Sequence, residues 1–129
     1  MTQQAWEQLT QDLGKRLWTL DDGDTIIWCH GVYYVQCQLA TDELEIDAVA
    51  NHHLPAGSRL SAEQEARMTA MGWQPPRPPG TFNYYARLAM PFSREDSARF
   101  AAMIVGALRD VYGLDSPDHL QEKAFNAFQ

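Results

Sequence analysis

The chain has 129 residues, of which 45% are hydrophobic and 21% charged, and seventeen Asp and Glu against ten Lys and Arg leave a formal net charge of -7. A chain of this length suits one domain that buries about two-thirds of its unfolded surface, and its apolar content is too high for a disordered segment. The negative balance repels phosphate backbones and anionic lipid headgroups at long range, which sets aside nucleic acid and membrane as partners.

The first eighteen residues are polar and amphipathic, without the apolar core of a signal peptide, and no run along the chain approaches the length of a membrane span. A cytoplasmic location is therefore expected. Trp6, Leu9, Leu13 and Leu17 recur at spacings of three and four, which predicts one apolar stripe on a first helix. Asp21-Asp22-Gly23-Asp24 stops it. Three β-rich runs follow, at 25–29, 32–40 and 43–50, separated by the short turns His30-Gly31 and Thr41-Asp42.

Residues that face each other across a two-residue hairpin share a face of the sheet. A turn at 30–31 pairs Trp28 with Tyr33 and Ile26 with Val35. A turn at 41–42 pairs Leu39 with Leu44, Cys37 with Ile46 and Val35 with Ala48. One apolar face emerges from both turns. The opposite face carries Gln36, Gln38, Glu45 and Asp47, but also Ile27, Cys29, Val32, Tyr34 and Val49, which is more apolar than a solvated sheet face. That excess calls for a covering helix or a partner. Cys29 and Cys37 fall on opposite faces in this register, so no disulfide between them is expected.

Ser61 and Gln64 have the spacing of a capping box that opens a second helix, and Gly72 closes it after Met71. Trp73 begins an extended piece, Pro75–Gly80 is a stiff proline-rich connection, and alternation over 81–90 predicts a long strand with Phe82, Tyr84, Ala86, Leu88 and Met90 on the core side. Ser93 caps a third helix that runs to Tyr112-Gly113 with Phe100, Met103, Ile104, Ala107, Leu108 and Val111 on one face. Ala98, Ala102, Val105 and Gly106 form a flanking small-residue stripe, which is the expected dimer interface. Ser116-Pro117-Asp118 predicts a short terminal helix with Leu120, Ala124 and Phe128 inward. The expected fold is one α+β domain over 1–129 in the order α-β-β-β-α-β-β-α-α, with a twisted antiparallel sheet of about five strands.

That order is similar to the fold of type III secretion chaperones. More specifically, Leu60-Ser61-Ala62-Glu63-Gln64-Glu65, Met71-Gly72-Trp73-Gln74-Pro75, Leu108-Arg109-Asp110-Val111-Tyr112-Gly113 and the later Pro117, Leu120, Ala124 and Phe125 resemble the actinobacterial type III chaperone-like and YbjN-like peptide-binding chaperones, the TY-Chap group. The resemblance implies a homodimer that holds an extended client segment against apolar patches and sheet edges, without ATP or metal.

Candidate chemistry is sparse. His52-His53 are adjacent, lack metal-ligand spacing and read as loop histidines. Asp21–Asp24 lacks the later glutamate of a calcium loop and reads as a turn. There is no Gly-x-Ser-x-Gly and no phosphate-cradling glycine loop. Asp42, Glu43 and the 21–24 aspartates read as a solvated acidic rim at one sheet end, suited to steering a basic client. Pro75–Pro79 reads as a rigid strand connection ahead of a proline-motif ligand. Neither a catalytic residue, a cofactor nor a metal is expected. The leading expectation is a client-binding chaperone that presents Trp6, Leu9, Leu13, Ile27, Val32 and Tyr34. A small-molecule-binding domain or small enzyme of unknown reaction is the first alternative, and a structural subunit with one fixed partner is the second.

Overall fold

The computed structural model describes residues 2–129 and contains the elements α1 (Thr2–Trp18), β1 (Asp24–His30), β2 (Tyr33–Ala40), β3 (Glu43–Ala48), α2 (Ala62–Met71), β4 (Tyr84–Ala89), α3 (Arg94–Gly106) and β5 (Gln121–Asn126). The strands form one antiparallel sheet in the order β4-β3-β2-β1-β5. The α+β class and the five-stranded antiparallel sheet are those expected from the sequence.

The three helices pack on one face. Trp28 and Glu122 are cross-strand neighbours, and Glu122 accepts from both Arg16 of α1 and Trp28 Nε1. Tyr84 of β4 donates to Glu65 of α2, and Tyr112, just after α3, donates to the Val49 carbonyl. Between the layers lie Trp6, Leu13, Leu17, Ile26, Trp28 and Val35, each no more than 2% exposed, with Ile46, Met68, Phe100 and Ile104 equally buried. Each such side chain contributes about 1.5–3 kcal/mol by leaving water.

The helix boundaries follow their local signals. Ser61 and Gln64 make both hydrogen bonds of a capping box, and Gly72 ends α2 at a φ of 112°, a left-handed conformation that glycine adopts without steric cost. Ser93 and Asp96 form the same box at the start of α3. That helix continues into a wider π-type turn over Ala107–Val111.

Three expectations are corrected. The second hairpin has the predicted register, but the first turns at Gly31-Val32, so that Trp28 faces Val35 and Ile26 faces Cys37. Gly31 has a φ of 60° while Val32 does not go positive, as a type II′ turn requires at its first central position alone. The slip is of two residues, so every side chain keeps its face. The chain end differs more. Ser116 caps only a single 3-10 turn at Pro117–His119, and the predicted terminal helix is instead β5, paired with β1. The observed order is thus α-β-β-β-α-β-α-β. Trp73-Gln74, expected to be extended, contributes only a single bridge from Gln74 to Tyr85. Without β5, the outward N–H and C=O groups of β1 would lose their ladder, a tertiary demand that overrides the weak helical spacing of Leu120, Ala124 and Phe128.

Candidate functional site

Alternation along the strands puts Thr25, Ile27 and Cys29, Tyr34, Gln36 and Gln38, and Glu43, Glu45 and Asp47 on the sheet face opposite the helices, together with Tyr85, Lys123 and Phe125. Apart from buried Thr25, these side chains are half-buried or exposed, and Phe125 is 51% exposed. Ile27 sits beside Gln36 on one side and Lys123 on the other. A shallow groove of about 240 Å³ runs over Thr25, Ile27 and Gln36 towards Asp47, with Phe125 on its rim.

The far side of the face, over β3 and β4, is polar. Arg87 pairs with Glu45 at 2.7 Å and with Glu43 at 3.8 Å, and its guanidinium lies 4.9 Å from the Tyr85 ring centre. Asp47 accepts a long bond from Gln36, while its other oxygen is buried and has no partner among the described residues. Burial pushes the Asp47 carboxyl above the usual carboxylate range. A second hollow of about 290 Å³ opens here between Asp47, His53, Phe82 and Tyr85. Tyr34 is fixed by Asn83, whose amide donates to the phenol at 2.8 Å.

The two sheet edges are unlike. The hairpin closed by His30 and Tyr33 fixes which backbone groups point which way, because bonded and non-bonded pairs alternate in antiparallel ladders. On β4 the outward groups of Tyr85 exchange two hydrogen bonds with Gln74, at 2.8 and 3.2 Å, while those of Arg87 and Ala89 have no backbone partner among the described residues. On β5 the outward groups belong to Glu122, Ala124 and Asn126, and the strand is exposed along nearly all its length. That edge is open to another strand.

The acidic end is a set of turns. Thr41 donates to Asp22, Asp24 accepts from the Asp21 backbone N–H, and Asn126 donates to Asp24. The Asp21 N–H, then Asn126, hold the Asp24 carboxyl below its ordinary range. Thr41–Asp22 joins the two turns that the sequence places together. His52 stacks on Phe82 with ring centres 4.3 Å apart. Among the described residues no group of three or more His, Cys, Asp or Glu is arranged to hold a metal ion. No helix among them is long and apolar enough to cross a membrane.

The sequence-derived client residues separate. Ile27 and Tyr34 lie on the uncovered face, and Val32, 44% exposed, sits at the hairpin tip. Trp6 and Leu13 are 1% exposed, and Leu9 packs against the core. Their stripe faces the sheet because α1 itself is half of the covering layer, so these three are corrected to core residues. The dimer stripe also divides. Ala98 and Ala102 are exposed, whereas Val105 is 1% exposed. Gly106 is buried where any side chain would strike the Met71 sulfur, so it serves contact with α2 inside the protomer. Phe125 and the β5 edge were missed because the segment reads locally as a helix; its pairing with β1 is non-local.

In comparison with known proteins, the model of the family TY-Chap3, described as T3SS (YopN, CesT) and YbjN peptide-binding chaperone 3, matches residues 1–126. No curated protein and no solved structure matches the chain.

Proposed function

Because the chain belongs to the TY-Chap3 family of peptide-binding chaperones, we propose that it holds an extended client segment on the uncovered sheet face and along β5, by burial and strand addition and without chemistry of its own. The observation that supports this reading most is the conjunction of a free strand edge at Glu122, Ala124 and Asn126 with adjoining apolar side chains at Ile27 and Phe125. Main-chain bonds at such an edge give sequence-tolerant affinity, and alternate side chains give selectivity. The polar half of the face, with Glu43, Glu45 and Asp47, favours clients that carry a basic residue beside an apolar one, and the acidic turns add long-range steering.

We place this activity in the cytoplasm, in keeping with two free cysteines, and on a homodimer. The direct test is binding to an array of extended peptides by the parent protein and by an Ile27→Asp, Tyr34→Asp variant with matching circular dichroism. Loss of the basic-apolar peptides supports the reading, and intact capture removes this face from consideration. The small-molecule alternative predicts strong thermal stabilisation by a metabolite and none by peptides.

A further inference from the structure

A further concavity lies on the other side, in the helical layer. It is a groove of about 690 Å³ between α1 and α3, lined by Thr10, Gln11, Gly14, Lys15 and Trp18 and by Arg94 and Ala98. A smaller hollow of about 340 Å³ extends it past Ala102 to Glu7 and Arg109. The two helices run antiparallel, with Trp18 beside Arg94 at one end and Glu7 near Arg109 at the other. Along α1 the span from Glu7 to Trp18 is about 16 Å at 1.5 Å per residue, or three turns.

Three observations define what fits. The floor is made of small residues, and a methyl group at Gly14 would sit 3.6 Å from the Ala98 backbone, an ordinary contact. Intramolecular packing therefore does not demand glycine there, although alanine is the better helix former; the missing side chain deepens the groove. The apolar wall is topped by Trp18, 43% exposed, with the Arg94 guanidinium 4.5 Å above its ring. Finally, the lining is cationic in a chain of net charge -7. Lys15 and Arg94 have no carboxylate within 4.0 Å among the described residues, and Glu7 is the one carboxylate lining either hollow, set near Arg109.

We propose that this groove docks an amphipathic helix of a partner protein whose apolar ridge is flanked by acidic residues. Both walls are helices whose backbone groups are already bonded internally, so strand addition is not available and recognition must come from side chains. A helix with apolar anchors at i, i+3 or i+4, and i+7 spans the three turns. A carboxylate at its flank reaches the Lys15 and Arg94 pair at the Trp18 end, where the apolar wall lowers the local dielectric. The site is separate from the sheet face, so the inference does not depend on where an extended client binds.

The test uses two fluorescein-labelled helical peptides that share one leucine ridge, one with glutamate flanks and its twin with lysine flanks, measured by anisotropy. The expected result is at least about tenfold tighter binding of the acidic peptide, that is about 1.4 kcal/mol, with the preference reversed by Lys15→Glu, Arg94→Glu and binding blocked by Ala98→Leu. Ile27→Asp leaves it unchanged. Circular dichroism and the unfolding midpoint confirm that each variant folds. Equal affinity for the twins, no binding below about 1 mM, or loss on Ile27→Asp overturns the proposal. So does a dimer that Ala98→Leu dissociates, which assigns the groove to a second copy, or displacement of the acidic peptide by laurate at lower concentration.

Discussion

The two faces of the sheet are built from the same strands, residue by residue in alternation, and they have opposite fates. Ile26, Trp28, Val35 and Cys37 disappear beneath the helices, while Ile27, Cys29, Tyr34 and Gln36 remain in partial contact with solvent. Cys29 and Cys37 sample one face each. What differs is the second layer, and it separates the residues sealed in the core from those left in contact with solvent.

The largest expected contrast is therefore chemical. Burial pushes the Cys37 thiol pKa up to about 12, so at neutral pH it is both covered and protonated. A thiol-specific reagent is expected to label Cys29 within minutes and Cys37 only through unfolding, at least about 1,000-fold more slowly for a domain of ordinary stability. Mass spectrometry of partly labelled protein reads this directly, and equal rates would show that the helical layer does not seal the core.

Substitutions sharpen the same contrast. Trp28→Ala is expected to cost about 3–5 kcal/mol in urea unfolding, because it leaves a large cavity under α1 and removes the Nε1 hydrogen bond to Glu122. Ile27→Asp, one residue away, is expected to cost less than about 1.5 kcal/mol, since it creates no cavity in the covered core. A similar loss for both would mean that the uncovered face is structural.

Two carboxylates extend the comparison to pH. On the covered side, the hydrogen bond and charge of Arg16, then Trp28, hold Glu122 below its ordinary range. Its contribution is present above the unfolded pKa of about 4.3 and is lost as pH falls through the lower folded value. Arg16 and Glu122 are 39% and 40% exposed, so solvent screening limits the pair, and Glu122→Gln is expected to cost about 0.2–1 kcal/mol at pH 7. On the bare side Asp47 has the opposite sign. Its raised folded pKa makes the charged form a burden, so stability falls as pH rises through that value. Asp47→Asn is expected to raise stability at pH 7 by a few tenths of a kcal/mol, with the gain vanishing in acid; urea midpoints at several pH values test both.

The covered face was legible because it is local and redundant. Val35 belongs to both hairpins, the period of two survived a register slip of two, and the capping residues Ser61, Gly72 and Ser93 each act within four residues of themselves. The candidate site was legible only in part. Ile27 and Tyr34 follow from strand parity, but Trp6, Leu9 and Leu13 could not be assigned a face until α1 had a place, since an amphipathic stripe does not say what it meets. Gln121–Asn126 owes its conformation to β1, nearly a hundred residues earlier, and no local spacing encodes that pairing.

The central claim is that β5 is the edge that receives the client. Residue-resolved amide exchange by NMR, with and without a bound basic-apolar peptide, tests it most directly. The account predicts that the N–H groups of Glu122, Ala124 and Asn126, which point away from β1, exchange quickly in the free protein and become protected on binding. Unchanged exchange at all three in a saturated complex would contradict it.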